Sequence, residues 1–229
     1  MRAVLFDWSN TLVRFEWDND LLEAGHVAGL GAVGRGEEAA AFTERFRSEI
    51  YPRLTPNDDY AAMLREELGL DQAEAERFVV AEYEAWRPAT TLADAAHALL
   101  ESLRSRGLKL GIVANHWPEP GWLVRREIEE FGVAERVDTI VLAGEVGVRK
   151  PDPAIFLRAL ADLDVSPEDA MFVGDKLDSD IRGAAEVGMV TVQALWFEAD
   201  AATGLPEPDF MAFTLMDVLT AVRRVAAPD

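Results

Sequence analysis

Short apolar runs that alternate with helical patterns constrain the fold of this chain more than any other feature. The runs are Ala3–Phe6, Leu110–Ala114, Val137–Ala143, Ala170–Gly174 and Met189–Leu195. Each has the length and the polar ending that are typical of a buried strand. Helical patterns separate the later runs, as where apolar residues recur every three or four positions from Leu92 to Leu103. This alternation predicts an α/β fold with a Rossmann-like parallel sheet as its core and helices on both faces.

One long segment interrupts the alternation. Between the first strand and the Leu92 helix, the sequence has no convincing strand pattern. Four helical stretches are predicted there, at Asn19–Leu30, Glu37–Tyr51, Asp58–Leu68 and Asp71–Trp86. Asp71 is a plausible N-cap, with Glu74 three residues on as in a capping box. We therefore predict an all-helical domain at residues 17–88, inserted into an α/β core formed by residues 1–16 and 89–229.

Composition and charge exclude several classes of protein. The 229 residues carry a net charge of −20, so nucleic acid and anionic membranes are not expected partners. No cysteine is present, which excludes disulfides and thiol catalysis. Neither a membrane span nor a signal peptide is evident, and a cytoplasmic location is expected. Lysine is scarce, with three lysines against 19 arginines, so each lysine could have a particular role.

Polar side chains follow several of the predicted strands. Asp7 follows the first strand and Asn115 the second, while Asp175 and Asp180 follow the fourth. Lys150 lies in the connection after the third strand. In a parallel sheet these positions meet at one edge, where ligands bind. Carboxylates with one lysine suit a hard divalent cation and a phosphate group, and an aspartate can also act as a nucleophile.

Four segments of the sequence resemble the haloacid dehalogenase superfamily of hydrolases. The segments are Leu5-Phe6-Asp7-x-x-Asn10-Thr11-Leu12, Gly111–Asn115, Gly147–Phe156 with its Lys-Pro-Asp-Pro, and Met171–Ala184 with its Gly-Asp-x-x-x-x-Asp. The resemblance covers the whole core. It also implies that the helical insert is a cap domain, since that superfamily's first type of cap lies at this place in the chain.

The resemblance implies a role for each matching residue. Asp7 matches the aspartate nucleophile, and Lys150 matches the lysine that holds the nucleophile and the phosphate. Asp175 matches a magnesium ligand and Asp180 its acidic neighbour, while the Ser9 backbone carbonyl matches a further ligand position. The predicted Mg²⁺ site therefore consists of Asp7, the Ser9 backbone carbonyl, Asp175 and Asp180. Asn115 and Lys150 are the predicted phosphate-binding residues.

Two positions depart from the usual phosphatase pattern. Most phosphatases of the superfamily carry a second aspartate at the position of Ser9, where it protonates the leaving group and activates water. A serine cannot serve as that acid near neutral pH, and loss of general acid–base help costs about 10²–10⁴-fold in rate. Ala114 stands where a threonine or serine would donate a hydroxyl to the phosphate. The residue that replaces the second aspartate is not assigned by the sequence.

These departures leave alternatives open. Phosphonoacetaldehyde hydrolases share a small residue at position 9, but they need a cap lysine, and residues 17–88 contain none. Dehalogenases also lack the second aspartate, yet they work without magnesium, which does not suit Asp175 and Asp180. The favoured expectation is a Mg²⁺-dependent hydrolase of a small phosphorylated metabolite, acting through an aspartyl phosphate. A dehalogenase and a non-catalytic metal- or phosphate-binding protein are the alternatives.

Overall fold

A computed structural model describes residues 1–55, 58–116, 120–197 and 206–226. The chain divides into two compact units. The first unit comprises Met1–Arg14, Leu92–Asn115 and Arg125–Asp229, and the second comprises Phe15–Thr91 and His116–Val124.

A six-stranded parallel sheet forms the centre of the first unit. Its strands are β1 (Ala3–Phe6), β4 (Lys109–Ala114), β5 (Thr139–Leu142), β6 (Ala170–Gly174), β7 (Val190–Ala194) and β8 (Phe210–Ala212). Their order is β5-β4-β1-β6-β7-β8, with every neighbouring pair parallel. β1 and β6 are buried along their whole length, as expected for strands covered on both faces. The predicted α/β class with a Rossmann-like parallel sheet is confirmed.

Three short strands differ from the sequence prediction. β2 (Val13–Phe15) and β3 (Thr90–Leu92) pair in a small sheet where no strand was expected. Leu92 therefore lies in a strand, and the helix predicted to contain it begins at Ala96 instead. β8 follows the segment Glu198–Asp209, which was predicted as a loop and of which 198–205 lie outside the described residues. Strands of three residues are too short to produce a recognisable alternation.

Ten α-helices occur in the described residues. They are α1 (Asn19–Ala32), α2 (Ala39–Arg45), α3 (Tyr60–Leu68), α4 (Gln72–Trp86), α5 (Ala96–Arg104), α6 (Gly121–Glu130), α7 (Ala143–Val146), α8 (Pro153–Leu163), α9 (Arg182–Glu186) and α10 (Asp217–Ala226). The helix predicted at Glu37–Tyr51 is divided, because a 3₁₀ turn precedes α2 and a π turn at Phe46–Ile50 follows it. No helix of the described part is long and apolar enough to cross a lipid bilayer.

The second unit is built on the pairing of α1 with α4. The predicted cap of α4 is present, since Asp71 accepts a hydrogen bond from the Glu74 amide and Glu74 accepts one from the Asp71 amide. Small residues on α1 allow the close approach, because a Cβ added at Gly29 would lie 2.7 Å from the Phe78 ring. His26 is fully buried beside these contacts, and its Nδ1 lies 2.8 Å from the Thr43 hydroxyl.

Candidate active site

The carboxyl ends of β1, β4 and β6 bring the predicted polar residues to one edge of the sheet. Asp7 follows β1, and its amide donates a hydrogen bond to the Val173 carbonyl of β6 at 2.9 Å. Asn115 directly follows β4 and Asp175 directly follows β6, the two strands that pair with β1 on either side. The chain runs from β1 outward to β5 on one side and from β6 outward to β8 on the other. Such a reversal of strand order creates the crevice in which α/β proteins bind ligands.

Lys150 lies at the centre of this group and is 4% exposed. Its Nζ donates to Asp7 Oδ1 at 2.6 Å and lies 2.7 Å from Asp180 Oδ1. The same ammonium lies 5.3 Å above the centroid of the Phe172 ring. A buried lysine needs such partners, because an unpaired ammonium in the protein interior is very unfavourable. Lys150 therefore joins the loop after β1 to the loop after β6.

Asn115 holds the backbone of Lys150. Its side-chain amide donates to the Lys150 carbonyl at 2.9 Å, and its side-chain oxygen accepts from the Lys150 amide at 2.9 Å. This pair of bonds fixes the segment that carries the lysine side chain. The carboxamide was expected to bind phosphate, and that role stays a prediction, since the hydrogen bonds described here serve to position Lys150.

Asp175 and Asp180 complete an acidic cluster with Asp7. One carboxyl oxygen of each lies within 4.8 Å of the others, and all three residues are buried. The loop between them is tight, because a Cβ added at Gly174 would lie 2.5 Å from the Asp180 carboxyl group. Asp180 Oδ1 lies 2.7 Å from Lys150 Nζ, and Asp180 Oδ2 accepts a hydrogen bond from the Lys176 amide at 3.0 Å.

The donor set fits a hard divalent cation. Asp175 Oδ1 is buried, and no hydrogen-bond donor of the described residues reaches it. A buried carboxylate oxygen without a partner is unfavourable, and a cation at this point would satisfy it. Carboxylate oxygens are the ligands that Mg²⁺ and Ca²⁺ prefer. The residues that could hold such an ion are Asp7, Asp175 and Asp180.

Burial and mutual repulsion determine the protonation of these groups. Burial raises the pKa of Asp7 to about 7, with Lys150 opposing the change and the Asp180 and Asp175 carboxylates adding to it. Burial also raises the pKa of Asp175 to about 6, with Asp180 adding to it. For Lys150, burial favours the neutral form, but Asp180 and Asp7 outweigh it and raise the pKa of the ammonium. Three carboxylates thus share one buried lysine, an arrangement that favours an added cation.

The loop after β1 is folded tightly around the Trp8 carbonyl. That oxygen accepts hydrogen bonds from the amides of Thr11, Leu12 and Val13. Asn10 takes a left-handed conformation with φ of 55°, which asparagine adopts more readily than most residues. The Ser9 side chain is exposed in this turn, whereas Ala114 is buried at the end of β4.

The sequence interpretation missed two side chains of this region. Trp8 donates its indole N–H to Glu127 Oε1 at 2.7 Å, and both residues are buried. No sequence pattern connects residues that lie 119 positions apart. Lys176 is the second, since its Nζ lies 3.3 Å from Asp175 Oδ2. The scarcity of lysine was the available signal, because two of the three lysines prove to lie in this group.

Comparisons with curated proteins find phosphatases. Glyceraldehyde 3-phosphate phosphatase of Methanopyrus kandleri is 36% identical over 130 residues, which are 56% of this chain and 54% of that protein. Phosphoserine phosphatase of Thermus thermophilus is 37% identical over 128 residues, which are 55% of this chain and 49% of that protein. The chain thus spans about half the length of these curated relatives.

Comparison with solved structures covers nearly the whole chain. The crystal structure of a HAD phosphatase from Thermococcus onnurineus matches 97% of this chain and 98% of its own, with a TM-score of 0.69 and 28% identity. A family model described as haloacid dehalogenase-like hydrolase matches residues 1–188. The match contains Asp7, Lys150, Asp175 and Asp180, the buried group at the strand ends. On this evidence the chain belongs to the haloacid dehalogenase-like hydrolases.

Proposed function

We propose that this protein is a Mg²⁺-dependent phosphatase of a small phosphorylated metabolite. The observation that carries the proposal is the buried cluster of Asp7, Asp175 and Asp180, in which Lys150 pairs with Asp7 and Asp180. Within the described residues, Asp175 Oδ1 has no hydrogen-bond donor. The phosphatase names of the relatives that match over about half their length, and of the structural neighbour, support the same reaction.

Asp7 is the proposed nucleophile. A carboxylate oxygen of Asp7 attacks phosphorus, the bond from phosphorus to the leaving oxygen breaks, and an aspartyl phosphate forms. The departing oxygen takes a proton, and water then cleaves the acyl phosphate to release phosphate and restore Asp7. Lys150 holds Asp7 Oδ1 at 2.6 Å, so the other oxygen of the carboxylate is the better placed to attack.

Asp7, Asp175, Asp180 and the Ser9 carbonyl are the proposed holders of Mg²⁺. When bound, the ion would supply positive charge to the phosphate oxygens as charge develops on them. Asp180 would add its negative charge to the ion site, and it also holds Lys150 in place, since its carboxylate pairs with the Lys150 ammonium and accepts the Lys176 amide. Asn115 contributes by fixing the Lys150 backbone and, as a further proposal, by contacting the phosphate.

The helical segment 17–88 is proposed to act as a cap that selects the substrate, with residues 1–16 and 89–229 as the catalytic core. Cap closure excludes water from the reacting centre in enzymes that use such a device. The group that protonates the leaving oxygen in the first step and activates water in the second stays unassigned, because Ser9 replaces the usual aspartate.

The test is phosphate release from p-nitrophenyl phosphate and a panel of sugar, nucleoside and carboxylic-acid phosphates, with Mg²⁺ and with EDTA. We expect Mg²⁺-dependent release that Asp7→Asn lowers by at least about 10³-fold, since the nucleophile is lost. Asp175→Asn should raise the Mg²⁺ concentration needed for half-maximal rate. The matched control is Asp178→Asn, because Asp178 is an exposed aspartate of the same loop.

Two outcomes would redirect the proposal. Full turnover in Asp7→Asn would show that Asp7 is not the nucleophile. Absence of release from every phosphate, with Mg²⁺ still raising the melting temperature, would indicate a binding protein without turnover. In that case halide release from 2-haloacids without metal is the next assay, because a dehalogenase also lacks the second aspartate.

A further inference from the structure

Lys176 is a second cation at the acidic cluster, and it differs from Lys150 in its exposure. Its Nζ lies 3.3 Å from Asp175 Oδ2, with 49% of the Lys176 side chain exposed against 3% for Asp175. Lys150, by contrast, is buried and paired with Asp7 and Asp180. Lys176 thus presents positive charge between the buried carboxylates and solvent.

The backbone of Lys176 is held on both sides by the loop after β6. Its amide donates to Asp180 Oδ2 at 3.0 Å, and its carbonyl accepts from the amides of Asp180 and Ile181 at 3.0 and 3.2 Å. The point from which the side chain leaves the loop is therefore fixed beside Asp175. Only the long, rotatable part of the side chain can change position, which suits a group that must exchange one anionic partner for another.

The charge balance of the cluster favours exchange of Asp175 for another anionic partner of Lys176. Lys150 neutralises one of the three carboxylates, and a divalent cation would neutralise the other two. The two oxygens of Asp175 differ in their surroundings. Oδ2 faces Lys176, while Oδ1 has no hydrogen-bond donor among the described residues. A cation at Oδ1 would weaken the attraction of Asp175 for the Lys176 ammonium.

We propose that Lys176 binds a second negatively charged group of the substrate, apart from the phosphate that is transferred. The inference rests on the proposed phosphatase function and specifies its substrate class, a phosphate monoester that also carries a carboxylate or a second phosphate. The exposed position of the ammonium places this contact at the rim of the site, outside the buried group that surrounds Asp7. Charge-assisted hydrogen bonds of this kind are among the stronger polar contacts that a site can offer.

The test compares two small phosphates that differ in one group, ethyl phosphate and 2-phosphoglycolate, in which a carboxylate replaces the methyl. We expect the wild type to prefer 2-phosphoglycolate, and Lys176→Met to lower the ratio of the two kcat/KM values by about tenfold. The loss should lie in KM more than in kcat, and Lys176→Arg should restore part of it. Calorimetric titration of both ligands into Asp7→Asn, with and without Lys176→Met, measures binding without turnover.

The outcomes separate this inference from the function on which it rests. An equal loss for both ligands in Lys176→Met, or a wild type with no preference, would overturn the role of Lys176 and leave the phosphatase proposal intact. Full activity in Asp7→Asn would instead contradict the proposed nucleophile. If Lys176→Met loses affinity for 2-phosphoglycolate in calorimetry and not for ethyl phosphate, the inference stands whatever the rate of turnover.

Discussion

At the scale of single residues, the site depends on the pairing of one buried lysine, Lys150, with two carboxylates, Asp7 and Asp180. Lys150 Nζ contacts both Asp7 and Asp180, which approach it from loops that are far apart in sequence. Gly174 permits this arrangement, because any Cβ at that position would collide with the Asp180 carboxyl group. Asp7, the proposed nucleophile, is thus held at its carboxylate by Lys150 and at its amide by the Val173 carbonyl.

Ser9 is the residue at which the proposed chemistry can be improved by substitution. Its side chain is exposed, so an aspartate there fits without burying a charge. We expect Ser9→Asp to raise kcat for ethyl phosphate by up to about 10²–10⁴-fold, because a general acid–base becomes available. The gain should be smaller for p-nitrophenyl phosphate, whose leaving group departs without protonation.

Steady-state kinetics on both substrates measure this effect, with Ser9→Asn as the matched control that adds an amide in place of the acid. An equal gain in Ser9→Asn, or no gain in Ser9→Asp, would mean that position 9 is not where the acid belongs in this chain.

Ser9 could be recognised from the sequence alone as a departure, because the residues around it match the family pattern closely.

Side chains differ in how far the sequence could place them. Asp7 and Asp175 could be assigned to one edge, because each directly follows a predicted strand and parallel strands share a direction. Lys150 could be assigned to the same edge, because it lies in the connection after the third predicted strand. The bond from Trp8 to Glu127 and the clamp of Asn115 on Lys150 could not, since they depend on side-chain packing between distant segments. The function expected of Asn115 was phosphate binding, and only the structure shows its bonds to the Lys150 backbone.

At the scale of elements, the close contact of α1 with α4 depends on where glycine is placed. A Cβ at Gly29 would lie 2.7 Å from the Phe78 ring, whereas a Cβ at Gly31 would meet nothing within 4 Å. Both glycines belong to α1. One helix therefore contains a position where added volume must disturb packing and another where it cannot.

We expect Gly29→Ala to lower the free energy of unfolding by about 1–3 kcal/mol, because overpacking outweighs the better helix propensity of alanine. Gly31→Ala, the matched control, should raise it by up to about 1 kcal/mol. Urea denaturation followed by circular dichroism measures both changes. A Gly29→Ala protein as stable as Gly31→Ala would contradict the packing described for α1 and α4.

The elements themselves could be predicted in proportion to their length. The five longer strands of the central sheet and the long helices α1 and α4 have enough residues to be recognised from the sequence. β2, β3 and β8, each of three residues, do not. The division of the predicted Glu37–Tyr51 helix also escaped the sequence, because a π turn keeps a helical pattern of apolar residues while changing the hydrogen bonding.

At the scale of the whole molecule, titration links folding stability to the site. The pKa values of Asp7 and Asp175 are raised in the folded protein, to about 7 and about 6, from 3.8. Their contribution to stability is therefore present below about pH 4 and is lost as the pH rises through 7. His26 acts oppositely, because burial, with a smaller effect of Arg47, lowers its pKa from 6.5 to about 4. Its effect destabilises the fold as the pH falls from 6.5 towards 4.

The two effects oppose each other between pH 4 and 6.5, and above that range only the carboxylates act. In EDTA at pH 8, we expect Asp7→Asn to melt at a higher temperature than the wild type, since it removes one of three crowded carboxylates while Lys150 keeps Asp180. The difference should shrink towards pH 4, where the Asp7 carboxyl group is protonated. Mg²⁺ at about 100 times its dissociation constant should stabilise the wild type by about 2.7 kcal/mol and narrow the difference at pH 8. Melting curves at both pH values measure these shifts, and an Asp7→Asn protein less stable than the wild type at pH 8 in EDTA would contradict the repulsion inferred for the cluster.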